Sequence, residues 1–364
     1  MTMTQAPALL AAGGTGGHLF PAEALAHVLA ARGVPVELVT EERALRYGDA
    51  FPARATHMIP SATPRGGSPL ERLRALARLA QGLFASLALL RRLRPGVVIG
   101  FGGYPTVPPL LAASLLKIPT IVHEANGVMG KANRFLAPRV SAIAVGFPLD
   151  SAPPALLKKI VLTGNPLRPK ALAATQAPYP EEDGALRLLV TGGSQGARVM
   201  ADIVPEAIAS LPEATRARLA VTQQTRAEDL ARVTATYARA GVGAELAPFF
   251  DDLPARIAAS HLVIARSGAS TVSELAAIGR AAILVPLPHA LDQDQAANAA
   301  VLSRAGGAEI VRQEAFTPAF LASRLAHLVE NPGELRLAAQ KAKSAGVVDA
   351  AERLADLAQR IARG

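Results

Sequence analysis

The stretch Leu262-Val-Ile-Ala-Arg-Ser-Gly-Ala-Ser-Thr-Val-Ser-Glu274 decides the fold. Its first four residues form an unbroken apolar run, the pattern of a strand buried on both faces. Arg266, Ser267 and Gly268 predict a tight turn, and the small hydroxyl residues after it open a helix. Strand, glycine turn and helix start gather free backbone N–H groups and the positive end of a helix dipole. That combination suits anionic oxygen. Glu274 falls one turn inside the helix and has two readings. It could accept hydrogen bonds from sugar hydroxyls, or it could close a capping box, Thr271-x-x-Glu274, and serve only a backbone N–H.

The same strand–glycine–helix unit recurs along the chain. Residues 8–12 predict a first strand, followed by Gly13-Gly-Thr-Gly-Gly-His18 and a helix over 20–31. This loop is neither a GxGxxG fingerprint, because Leu19 takes the last glycine position, nor a Walker loop. Its backbone can still approach a ligand closely. Strands are expected at 34–40, 96–100, 119–123, 142–145 and 160–163, alternating with helical segments that include a long basic-apolar helix over 69–92. Residues 169–184 are rich in Ala, Pro and acid and read as a linker. The pattern then restarts with a strand at 186–191 and Gly192-Gly-Ser-Gln-Gly-Ala-Arg198, which opens a helix to residue 210. Strands follow at 219–222, 244–247, 262–265 and 281–285, and the tail from 317 is helical.

The expected fold is therefore α/β, with two doubly wound Rossmann-like domains in tandem. Residues 1–168 form the first and 185–345 the second, with a C-terminal helix in 346–364 packing back on the first. Ligand loops at the carboxyl ends of two such sheets imply a deep interdomain cleft.

The 364 residues carry a net charge of +9, so anionic partners are favoured. Only 4% are aromatic, and none interleave with Arg or Lys as single-strand nucleic-acid binding would need; no nucleic-acid partner is expected. The absence of Cys excludes disulfides, thiolate nucleophiles and Cys-based zinc sites. The first ten residues lack the basic start of a signal peptide, and no apolar run is read as reaching the ~20 residues of a membrane span, so a cytoplasmic location is expected.

Several residues point to the chemistry of a sugar diphosphate. Arg168, Ser194, the 192–196 turn and the helix start at 267–270 can hold a diphosphate. Glu274 suits a ribose, and Gln295 can orient a sugar through its amide. Asp292-x-Asp294 has metal-binding spacing, but two solvated acids at a helix start explain it as well, and no metal or other cofactor is expected. His18 sits where a dipole end disfavours imidazolium, so it is either a neutral general base or a loop hydrogen-bond partner.

Six motifs occur in order: Gly13-Gly-Thr-Gly-Gly-His18, Gly100-Phe-Gly-Gly-Tyr-Pro105, His123-Glu-Ala-Asn126, Gly164-Asn-Pro-Leu-Arg168, Gly192-Gly-Ser-Gln-Gly-Ala197 and Arg266 to Glu274. Together they resemble the MurG family of N-acetylglucosaminyltransferases of peptidoglycan synthesis, across nearly the whole chain. The resemblance implies a GT-B architecture and transfer of GlcNAc from UDP-GlcNAc to undecaprenyl-diphosphate-MurNAc-pentapeptide (lipid I), giving lipid II with inversion at the anomeric carbon. It implies that Thr15, Gly16, Gly17 and Asn126 lie near the donor sugar, with His18 or Asn126 in the catalytic role. It implies that Arg168 and Ser194 hold the diphosphate and that Phe250 lies at the uracil. Ala269, Ser270, Thr271, Val272, Ser273 and Glu274 hold nucleoside and phosphate, and Gln295 faces the GlcNAc hydroxyls. Two positions depart from the family pattern: Ala125 stands where Gln is frequent, and Asp294 where His or Gln is common. Rival readings are a UDP-GlcNAc epimerase or a glycolipid synthase of the same architecture, and a non-catalytic UDP-sugar sensor.

A lipid-linked acceptor requires a route to the bilayer. Leu73, Leu76, Ala80, Leu83 and Leu87 recur at helical spacing with Phe84, flanked by Arg65, Arg72, Arg74 and Arg78. Such a stripe suits either the headgroup region of an anionic membrane or a protein core. The expected location is peripheral, on the cytoplasmic face of the bacterial inner membrane.

Overall fold

The computed structural model describes residues 6–41, 51–62, 68–149, 152–193, 196–288 and 294–363. The chain divides into two compact units. One comprises Met1–Arg168 with Asp349–Gly364, the other Pro169–Val348.

The first unit is built on a seven-stranded parallel sheet. Its strands are β1 (Ala8–Ala11), β2 (Val36–Thr40), β3 (Thr56–Met58), β4 (Val97–Gly100), β5 (Thr120–Glu124), β6 (Ala142–Val145) and β7 (Ile160–Leu162). Their order across the sheet is β3-β2-β1-β4-β5-β6-β7. The chain leaves β1 in one direction and returns to its other side with β4, so a crevice opens beyond the ends of these two strands. The helices are α1 (Gly16–Ala31), α2 (Pro69–Leu93), α3 (Val107–Leu115) and α4 (Lys131–Leu136). Both faces of the sheet are covered, which is why β1 and β4 are buried at every position.

The second unit begins with α5 (Pro169–Ala174) and repeats the plan. Its strands β8 (Leu186–Thr191), β9 (Leu219–Gln224), β10 (Ala244–Ala247), β11 (Leu262–Ala265), β12 (Ala281–Leu284) and β13 (Ala308–Ile310) pair in parallel. Their order is β10-β9-β8-β11-β12-β13, the same winding as in the first unit. Around them lie α6 (Arg198–Ala209), α7 (Glu213–Arg216), α8 (Leu230–Arg239), α9 (Leu253–Ala258), α10 (Ala269–Ile278), α11 (Asp294–Arg304), α12 (Pro318–Glu330) and α13 (Pro332–Ser344). The final helix, α14 (Ala350–Ala362), belongs to the first unit. Leu354, Ala355, Leu357 and Ala358 join the core under α1 and β1, and Arg32 donates to Asp356 at 2.6 Å.

Three expectations change. Residues 169–184 are not a free connector: they form α5 and then a strap fastened to the second unit. The fully buried Arg280 donates to the carbonyls of Pro178, Ala258, Ile278 and Gly279. His261 and Arg187 bond to the carbonyl oxygen of Glu181, and Arg336 pairs with Glu182. The first helix starts at Gly16, not residue 20, so His18 lies in its first turn and Pro21 inside it. Finally, α2 is long and apolar enough to cross a membrane by length and composition, contrary to the reading of the sequence. Its buried side packs on α3 and the sheet through Ala75, Leu83, Leu87, Leu89 and Leu90, and Gly82 lets Pro60 and Pro108 approach its backbone. Ser68 and Glu71 form a capping box at its start.

The strap predicts the cost of losing its anchor. Arg280→Met leaves three buried carbonyl acceptors and the part-buried one of Pro178 without their donor, and should lower the unfolding free energy of the second unit by about 3 kcal/mol. Urea denaturation measures it; a loss below ~1 kcal/mol would mean that water replaces the guanidinium.

Candidate functional site

In the first unit the crevice between β1 and β4 is lined by glycine loops. The imidazole of His18 sits in a socket made by Gly13, Gly102 and Gly103. A Cβ added at Gly13 would lie 3.1 Å from its Nδ1, and one at Gly102 3.1 Å from its Nε2. Gly102 and Gly103 have φ of +95° and +79°, so the socket needs glycine for its backbone as well as for space. The Nδ1 of His18 lies 3.1 Å from Oγ1 of Thr15, the residue before α1. Removal from water pulls the pKa of His18 down to about 4.

The end of β5 supplies the next wall. The buried Glu124 accepts from Asn126 N (3.0 Å), Asn126 Nδ2 (3.2 Å), Gly130 N (2.9 Å) and Asn133 Nδ2 (2.9 Å). One carboxyl group thus shapes the 125–130 turn and orients Asn126. Burial raises the pKa of Glu124, and these hydrogen bonds act against it. His123 is 1% exposed, with Nε2 3.3 Å from the Gly164 carbonyl and no partner at Nδ1. Burial is the main cause of its pKa of about 4; the Gly164 bond opposes the shift, and nearby His18 adds to it. Asn165 Nδ2 donates to the Ala125 carbonyl at 2.9 Å, tying the 164–168 loop to the same place. At the end of that loop the Arg168 guanidinium stacks over the ring of Phe20, 4.0 Å from its centre.

In the second unit the equivalent crevice lies between β8 and β11. Gly192 and Gly193 turn the chain out of β8, and a Cβ at Gly192 would strike the backbone nitrogen of Ala197 at 2.1 Å. Beyond β11, Arg266 is buried and donates to the carbonyls of Val285 and Pro286 and to Gln313, so it holds the turn rather than facing a ligand. Gly268 precedes α10 with no side-chain cap. The first-turn N–H groups of Ala269, Ser270 and Thr271 therefore point out of the helix start, as an anion site requires.

This geometry removes the capping-box reading of Glu274. Gly268 is the cap, Thr271 is already the third helical residue, and Glu274 is a turn further in at 5% exposure. Other expectations sharpen. Ala269, Ser270 and Thr271 are partly exposed, whereas the Val272 side chain is wholly in the core and cannot touch a ligand. Ser273 is buried on the same turn. Phe250 is 8% exposed with the Arg256 guanidinium 4.1 Å above its ring, so its ring is packed away from solvent. The side-chain amide oxygen of Gln295 accepts from Leu287 N at 3.0 Å, which holds the 286–287 turn. Thr15 and Gly17 are exposed and Gly16 is buried. Ser194, Asp292 and Arg65 lie outside the described residues. Sequence reasoning missed the roles of Asn133, Arg256 and Gln224; the amide pair Gln223-Gln224 at a strand's carboxyl end was the available signal for the last.

The comparisons agree with this layout. Residues 8–145 match the glycosyltransferase family 28 N-terminal domain, and 187–360 match the family 28 C-terminal domain. A relative from Rhodopseudomonas palustris (strain BisA53) is 58% identical over 358 residues, which is 97% of this chain and 96% of the relative. It is named UDP-N-acetylglucosamine--N-acetylmuramyl-(pentapeptide) pyrophosphoryl-undecaprenol N-acetylglucosamine transferase. A relative from Methylobacterium nodulans with the same name is also 58% identical, over 98% of this chain and 97% of its own. The crystal structure of Acinetobacter baumannii MurG is 30% identical with a TM-score of 0.78, covering 97% of this chain and 99% of that one.

This chain belongs to the MurG family. It is thereby a glycosyltransferase with two Rossmann-like domains, as the MurG motifs in its sequence imply.

His18, half-buried, and His123, fully buried, make a prediction. Their folded pKa values near 4 lie below the unfolded value of about 6.5, so they bind protons in the unfolded chain first. Their contribution is fully present above pH ~6.5 and is lost as pH falls towards 4. NMR should find neither ring titrating between pH 8 and 5. Unfolding of His123→Gln should depend less on pH than wild type across 6.5 to 4, by a few kcal/mol in all. Equal slopes would contradict the burial of a neutral ring.

Proposed function

We propose that the chain transfers GlcNAc from UDP-GlcNAc to the muramyl sugar of lipid I, forming lipid II and releasing UDP. The observation that carries this reading is the 58% identity, over almost the full length, to a relative bearing that activity. The geometry supports it with a neutral imidazole at one switch point and an anion-type helix start at the other.

In the reaction a muramyl hydroxyl attacks the anomeric carbon as the bond from that carbon to the UDP oxygen breaks. The single displacement turns the α anomer of the donor into a β linkage. His18 is assigned the hydroxyl proton: its low pKa keeps it unprotonated at neutral pH, and its glycine socket and Thr15 fix the ring. Asn126, oriented by Glu124, is assigned to the sugar beside it. The first turn of α10, the Gly192–Gly193 turn and Arg168 are assigned to the diphosphate, whose charge grows as the bond breaks. Glu274 is assigned to the ribose, the loop around Phe250 to uracil and Gln295 to GlcNAc. These groups suffice for the charge without a metal.

Docking on an anionic membrane is assigned to the first half of α2. Leu70, Leu73, Leu76 and Phe84 are 56%, 63%, 58% and 70% exposed, beside the exposed Arg72, Arg74 and Arg78. Leu83, expected on this surface, packs against the core instead. A helix whose other side is core can lie in the headgroup region; to span the bilayer it would have to strip Leu87, Leu89 and Leu90 from the sheet.

Three measurements test the assignments. His18→Ala should cut turnover ~10²–10⁴-fold and leave UDP affinity intact; near-normal turnover would return His18 to a loop role. Glu274→Ala should weaken UDP binding by about tenfold or more in calorimetric titration, since charged hydrogen bonds contribute ~1.5–3 kcal/mol each. Unchanged affinity would remove Glu274 from the site. Changing Arg72, Arg74 and Arg78 together to Glu should abolish flotation with anionic liposomes at physiological salt, because each basic residue near such a surface contributes about 1 kcal/mol. A folded variant that floats like wild type would sink the docking assignment.

A further inference from the structure

The last residue of β9, Gln224, is buried at 7% exposure and lies outside every motif singled out in the sequence. Its amide makes four hydrogen bonds. The carbonyl oxygen accepts from Thr191 Oγ1 at 2.8 Å and from Gly192 N at 3.2 Å. The amide nitrogen donates to the carbonyls of Gly193 at 3.0 Å and Pro248 at 3.2 Å. Two donors and two acceptors exhaust what a primary amide offers, so its orientation is set.

The partners belong to two different loops. Gly192 and Gly193 form the turn after β8, assigned above to the diphosphate. Pro248 opens the loop that carries Phe250, assigned above to the base. Because Arg256 covers the Phe250 ring, this loop has mainly backbone to offer a base, and backbone must be placed accurately to be recognised. The far side of the loop is already fixed, since Arg256 also donates to Asp252 at 2.7 Å and Glu245 at 2.6 Å. Next to Gln224, Thr225 N donates to the Ala247 carbonyl at 2.9 Å. Gln224 supplies a tie that relates the base loop to the diphosphate turn.

The geometry points to Gln224 as a positioning residue that holds the base loop and the diphosphate turn of the second unit in register, so that one nucleoside diphosphate can engage both. This inference rests on the donor reading proposed above. Glutamine is required because a glutamate of the same size keeps the acceptor but turns a carboxylate oxygen towards the Gly193 and Pro248 carbonyls.

The test is Gln224→Glu, assayed on the full chain with UDP, uridine and inorganic pyrophosphate as separate calorimetric ligands and with steady-state kinetics. Affinity for UDP should fall at least tenfold, with weaker binding of both uridine and pyrophosphate. The KM for UDP-GlcNAc should rise while the KM for lipid I stays unchanged. UDP affinity unchanged in the folded variant, or a loss confined to one half of the ligand, would overturn the inference. If Gln224→Glu does not fold, Thr191→Val, which at constant size removes a donor to the amide oxygen and the acceptor of the Gly193 N–H, should weaken uridine as well as pyrophosphate several-fold; a loss confined to pyrophosphate, or a lowered melting temperature with normal UDP affinity, would overturn it. Wild-type protein that binds no UDP would instead overturn the donor reading itself.

Discussion

Everything in this chain depends on one repeated pairing, the first strand of each sheet against the fourth. In the first unit Ala8 to Ala11 pair with Val97 to Gly100, and in the second Leu188 to Thr191 pair with Leu262 to Ala265. Parallel pairing forces each connection to cross the sheet, and the crossings on either side of this pair run in opposite directions. The loops leaving the two strands must therefore diverge, and the gap between them is a place for a ligand. Four turns arise this way: 13–15 and 101–106, then one opening at 192–193 and one at 266–268.

What fills those gaps differs, and the difference follows from the residues. The first unit places a histidine in the first turn of α1 and surrounds its ring with three glycines, which leaves the ring unprotonated at neutral pH. The second unit leaves the start of α10 without a side-chain cap, giving backbone donors for an anion. Behind each gap one buried polar side chain makes four local hydrogen bonds. Glu124 serves one loop in the first unit and Gln224 two in the second. Rigid support of this kind limits the reorganisation needed when substrate binds.

Much of this was legible in the sequence, because a doubly wound sheet writes short apolar runs followed by glycines. The edge strands β3 (Thr-His-Met) and β13 (Ala-Glu-Ile) escaped because neither is an apolar run, whereas the equally short β7 (Ile-Val-Leu) is one. The strap at 178–184 escaped because Pro, Glu and Asp look the same in a loose linker and in a segment tied to buried Arg280; only the partner distinguishes them. Thr271 and Glu274 have the spacing of a capping box, but Gly268 starts the helix earlier and spacing alone cannot say where a helix begins. Along α2 the periodicity revealed a stripe without revealing its direction. Packing divides it, sending Leu83 and Leu87 to the core and leaving Leu73, Leu76 and Phe84 outside.

The most direct test follows labelled UDP-GlcNAc incubated with the full chain, with and without lipid I. Label should move to a β-linked lipid product, and UDP should appear only when lipid I is present. Epimerised UDP-sugar formed without acceptor, transfer to diacylglycerol in place of lipid I, or bound but unreacted UDP-GlcNAc in its presence would contradict the proposed transfer.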